Sequence, residues 1–160
     1  MTVSPEPPSE APRIRKIRTS LQRQMARPGG ITIEEAVERA EQGLESQRDR
    51  IMELLQAQVD LLSSLCRRRP ARADAKVYAL GSALVDMAGF LDIPPFYTAA
   101  YSLCETAHQM TAAKAWSWPE VEVHAHALTL ILANDCQTSE AIEELLAGLR
   151  AVVQHTHQPG

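Results

Sequence analysis

The chain has 160 residues and a formal net charge of −4, with 45% hydrophobic, 22% charged and only 4% aromatic residues. That length supports one domain around a single core rather than two, and the acidic balance excludes a general polyanion binder. No apolar run approaches the ~20 residues that span a bilayer, and three separated cysteines without a CxxC pair fit a reducing compartment, so a cytoplasmic location is expected.

The opening stretch MTVSPEPPSEAP has neither the charge order nor the apolar core of a signal peptide. It leads into RIRKIRTSLQRQMAR, residues 13–27, where Arg13, Arg15, Lys16, Arg18, Arg23 and Arg27 meet no acid. Ile14, Ile17, Leu21 and Met25 recur at helical spacing, so a helix there would be basic and amphipathic. Such segments dock on membrane surfaces, nucleic acids or proteins, although this one lacks the aromatics on which single-stranded nucleic acid stacks. Residues 1–30 are expected to form a disordered basic arm, and residues 31–157 a helical bundle domain.

Proline divides the rest of the chain, because a helix interior loses ~3 kcal/mol to it. A first helix is predicted from Thr32 to about Arg69, opened by the capping-box spacing of Thr32 and Glu35. Val37, Ala40, Leu44, Ile51, Leu54, Leu61 and Leu65 share one seam, interrupted by Gln47 and Gln58. A helix of that length is roughly 55 Å long, too long for its neighbours to cover, so part of it should overhang or break. Glu34, Glu35, Glu38, Glu41 and Glu45 crowd its start, and the basic arm is expected to fold back on them through the short Gly29-Gly30 tether. Arg67, Arg68 and Arg69 close it, where cations complement the helix dipole.

A second helix, about Asp74 to Leu91, should bury Val77, Leu80, Leu84, Met87 and Leu91 and expose Ala75, Ala79, Ser82, Asp86 and Gly89. After Pro94-Pro95 a third helix carries Phe96, Ala100, Leu103, Ala107 and Met110 inward. A fourth, about 118–134, has Ser117 and Glu120 at capping-box spacing and Pro119 in its first turn. It is apolar on most sides and is expected to be the most buried. Thr138 or Ser139 caps a fifth helix bearing Ile142, Leu145, Leu146, Leu149 and Val153. No period-2 strand is present in the pattern, so the fold class is all-α: an antiparallel bundle of four to five helices with a long first helix.

Little in this sequence points to catalysis. His124 and His126, two apart, fall roughly 200° apart on a helix, whereas zinc-binding helices use i, i+4 pairs; no metal site and no cofactor is expected. His126 shares a stripe with Glu122 and Thr129 and is expected to be half-exposed beside a polar neighbour. Cys66, Cys104 and Cys136 sit among apolar neighbours as small hydrophobes. Without a Gly-rich phosphate loop, a GxSxG or paired carboxylates, the chain is expected not to be an enzyme.

From Ala79 to Glu105, ALGSALVDMAGFLDIPPFYTAAYSLCE resembles the segment of histidine-phosphotransfer (HPt) domains that carries the phosphorylated histidine. The similar features are Ala88, Gly89, the Leu91-Asp92-Ile93-Pro94 turn and Leu103-Cys104-Glu105. The histidine position falls on or near Ser82, so the resemblance implies a degenerate HPt-like bundle that keeps a docking surface without the chemistry. Ala79, Ser82, Asp86 and Gly89 would then face a response-regulator receiver domain or a histidine kinase, in a two-component, phosphorelay or chemotaxis-type pathway. Ala125-His126-Ala127-Leu128 echoes an AHxL start, which makes His126 the phosphoacceptor candidate. Two rival readings remain open. One is a homodimer or scaffold built on the first helix; the other is nucleic-acid or membrane-surface binding through the arm.

Overall fold

The computed structural model describes residues 29–157, which form five helices and no strand. These are α1 (Ile33–Arg68), α2 (Asp74–Leu91), α3 (Pro94–Ala112), α4 (Trp118–Ala133) and α5 (Glu140–His157). The basic segment 13–27, and with it the expected fold-back of the arm, lies outside the described residues. The chain divides at Gly43/Leu44 into two units, of which the second contains the bundle.

α1 begins as its sequence dictates. The Thr32 hydroxyl accepts from the Glu35 amide at 3.2 Å, while the Glu35 carboxylate accepts from the Thr32 amide at 3.0 Å. This reciprocal cap satisfies two amides that the helix leaves without partners. The helix is continuous over its 36 residues, about 54 Å; it does not break. Residues 31–50 are exposed throughout.

Of the predicted seam of α1 only Leu65 is fully in the core. Val37, Ala40, Leu44 and Leu54 are exposed, and Ile51 and Leu61 half-buried; Leu55, Val59, Leu62, Leu65 and Cys66 enter the core. The two sets share one spacing: Leu55, Val59, Leu62 and Cys66 lie one residue round the helix from the 54-58-61-65 positions of the seam, and it is their side that joins the core cluster of the bundle.

α3 is the hub. It packs against α2, α4 and α5, and Phe96, Ala99, Ala100, Leu103, Thr106, Ala107 and Met110 are fully buried along it. That role was expected of α4, whose Val123 and Leu130 are in fact 43% and 56% exposed. α4 is apolar on most sides, but only one side of it meets other helices, and apolar composition alone does not close the others. The connections, residues 92–93, 113–117 and 134–139, are short, which sets consecutive helices antiparallel.

Three of these turns use the same device. The Ile93 amide donates to the Ala88 carbonyl, that of Ala115 to Met110 and that of Cys136 to Ile131. Between them Asp92, Lys114 and Asp135 take left-handed backbone, with φ near 52–53°. These are Schellman caps, built here without glycine. At the other ends Ser139 caps α5 as expected, its Oγ accepting from the Ile142 amide. Ser117 makes no side-chain cap to α4, so that capping box does not form; its own amide donates to Met110 Sδ. Arg48 ties α1 to the end of α2 through the Leu91 carbonyl at 3.0 Å. No helix among the described residues is long and apolar enough to cross a membrane.

Candidate functional site

The α2–α3 pair carries the face singled out from the sequence. Val77, Leu80, Leu84, Ala88 and Leu91 are buried and Met87 half-buried, whereas Ala75, Ala79, Ser82, Asp86 and Gly89 are exposed. The two helices approach closely at Gly81, where a Cβ would lie 2.8 Å from Cys104 Sγ. A side chain at that position would have to displace the Cys104 thiol. The Asp92–Ile93 turn then reverses the chain so that Tyr97 lies beside Gly89, its ring edge 3.9 Å from where a Cβ would stand.

The Gly89 end of the exposed stripe therefore borders aromatic rings, which the sequence reading missed. Tyr97 stacks on Tyr101 with ring centroids 6.4 Å apart. Phe90 is 52% and Tyr101 57% exposed. The signal was present: Tyr97 and Tyr101 are four apart on the side of α3 opposite Phe96, Ala100 and Leu103. In a chain with two Phe and three Tyr, placing a Phe and all three Tyr at the surface is a costly use of scarce rings. Tyr is enriched where proteins meet, because it combines a flat apolar body with a polar tip.

Beneath this face lies Cys104, half-buried, its thiol pushed up by burial and by the Asp86 carboxylate. Cys66 is pushed up to about 11, chiefly by burial, and Cys136 is raised by burial and by Asp135. All three thiols stay protonated near neutral pH, the opposite of what a nucleophile needs.

The histidine pair splits as helical geometry requires. His126 is exposed, and the expected contact with Glu122 does not form. Glu122 instead accepts from Arg69 at 3.2 Å, and the Thr129 hydroxyl donates to the Ala125 carbonyl. His124 is fully buried. Its Nδ1 lies 2.8 Å from the Glu120 carbonyl, which can only accept, so Nδ1 carries the proton. Nε2 then accepts from the Ser102 hydroxyl at 2.9 Å. Ser–His pairs of this kind serve acyl-transfer enzymes, but with Ser102 and His124 both closed off from solvent this one fastens α3 to α4. Among the described residues no group of three His, Cys, Asp or Glu is arranged to hold a metal ion. Arg13, Arg15, Lys16, Arg18, Arg23 and Arg27 lie outside the described residues.

No known protein family, no characterised protein and no solved structure matches this chain.

Proposed function

We propose that the chain is a non-enzymatic, cytoplasmic signalling adaptor that works by protein–protein contact through the α2–α3 face, in the manner of a degenerate HPt domain. One observation carries the reading: the small-residue stripe Ala79, Ser82, Asp86 and Gly89 is exposed, and its Gly89 end meets Tyr97, which stacks on Tyr101. Small residues let a partner helix come close, and flanking rings bury large area at little entropic cost. The partner in this reading is a receiver domain or a histidine kinase. Where an HPt domain has its histidine this face has Ser82, so contact rather than phosphate is what it passes on. His126, exposed on α4, is the phosphoacceptor only if phosphotransfer occurs at all.

Direct titration against purified receiver domains and kinase dimerisation domains from the same cell tests the proposal. Binding that weakens at least about tenfold in Ser82→Arg and Tyr101→Ala supports it. No binding, or binding indifferent to both substitutions, rejects it.

A second reading rests on a separate observation. Ile33, Val37, Leu44 and Leu54 are 66%, 51%, 59% and 56% exposed at heptad spacing on one continuous helix. Val37, Leu44 and Ile51 fall on a positions and Ile33 and Leu54 on d positions of one heptad frame, apolar residues that a coiled coil would bury, which makes a homodimer through α1 the alternative.

A further inference from the structure

A cavity of about 430 Å³ opens where α2 begins, lined by residues 69–74 on one side and by Met110, Thr111, Lys114, Trp116 and Trp118 on the other. It stands apart from the α2–α3 face and rests on different residues. Its size is that of a small-molecule site. Two features of the lining point to one kind of occupant.

The first is charge. Arg69, Arg72 and Lys114 border the cavity against a single carboxylate, Asp74. Arg69 is engaged by Glu122; among the described residues Arg72 and Lys114 have no ion-pair partner. α2 starts at the same place with Ala73 at its N-cap and no side-chain cap, so first-turn amides and the positive end of the helix dipole add to the field. All three cations hold left-handed backbone, φ 47° to 56°.

The second is an aromatic wall. Trp116 and Trp118 meet edge to face with centroids 5.6 Å apart, and Met110 is buried beside them. Inorganic phosphate answers only the charge and is far smaller than the cavity. A neutral aromatic answers only the wall.

We propose that this cavity binds a nucleoside phosphate, with its phosphate held by Arg72, Lys114 and the start of α2, and its base against the tryptophans. Arginine matches phosphate oxygens in pairs and lysine adds a point charge; base stacking on indole is sequence-tolerant. Trp116 and Trp118 are the only tryptophans in the chain, so selectively excited tryptophan fluorescence reports on this site alone. The full chain is titrated with AMP, GMP, adenosine and inorganic phosphate, with calorimetry as a check on optical artefacts. The expected result is saturation by AMP or GMP below about 1 mM, with adenosine and phosphate each at least about tenfold weaker. Arg72→Gln and Lys114→Gln should each lose about tenfold while melting as the parent does. Flat titrations overturn the proposal. So does adenosine or phosphate binding as tightly as the nucleotide, or nucleotide affinity unchanged in both variants.

Discussion

His124 is neutral in the folded protein because burial disfavours its charged form more than the Glu120 carbonyl favours it. Its folded pKa therefore lies below the ordinary 6.5, and the unfolded chain binds the proton first as pH falls. Stability attached to this residue is intact above about pH 6.5 and declines as pH drops towards the folded value. Urea titrations at pH 7.5 and pH 5 should show that decline in the parent, and a smaller one in His124→Gln. Leu84 and Ser82 make the complementary pair of tests, two residues apart on α2. Leu84 is fully buried, so Leu84→Ala should cost about 2–5 kcal/mol. Ser82 is exposed, and Ser82→Arg should stay within about 0.5 kcal/mol. Denaturant midpoints in the reverse order would mean that the phase of α2 is wrong.

At the scale of elements, the α2–α3 pair is held at its distance by Gly81 and Cys104. A methyl group at position 81 would sit 2.8 Å from Cys104 Sγ, so the ~1 kcal/mol that alanine normally gains over glycine inside a helix is opposed by that contact. The two effects separate in a double-mutant cycle. Gly81→Ala should be neutral or destabilising in the parent, yet stabilising by up to about 1 kcal/mol in a Cys104→Ala background. Equal effects in both backgrounds would show that the close approach carries no energy. The same crowding explains why Gly81 escaped notice in the sequence: a glycine in an apolar helix resembles any other until the neighbouring helix is in place. Helix boundaries were far more legible. Thr32 with Glu35, the Pro94-Pro95 start and Ser139 are local signals, and the structure uses each of them. The Ser117–Glu120 spacing looked equivalent and failed, because the Ser117 amide is taken up by Met110 Sδ, a contact from another helix.

For the molecule as a whole, the exposed seam of α1 predicts concentration-dependent mass. Sedimentation equilibrium should show a reversible monomer–dimer shift that Leu44→Glu abolishes while leaving thermal unfolding of the bundle unchanged. A single mass across the accessible range would leave the seam without a partner of its own kind. By itself the sequence determined that this protein is all-α, where its helices start and stop, and which side of α2 and α3 turns inward. Those follow from caps, prolines and 3.6-residue periodicity, all short-range and written along the chain. Only the tertiary structure decided that α3 rather than α4 is the hub, that most of the α1 seam stays outside the core, that Tyr97 borders the Gly89 end of the exposed stripe, and that His124 is locked to Ser102. Each of these depends on which neighbour lies alongside. An apolar stripe states that it wants cover, but it does not state what will cover it, because burial is a property of pairs of surfaces.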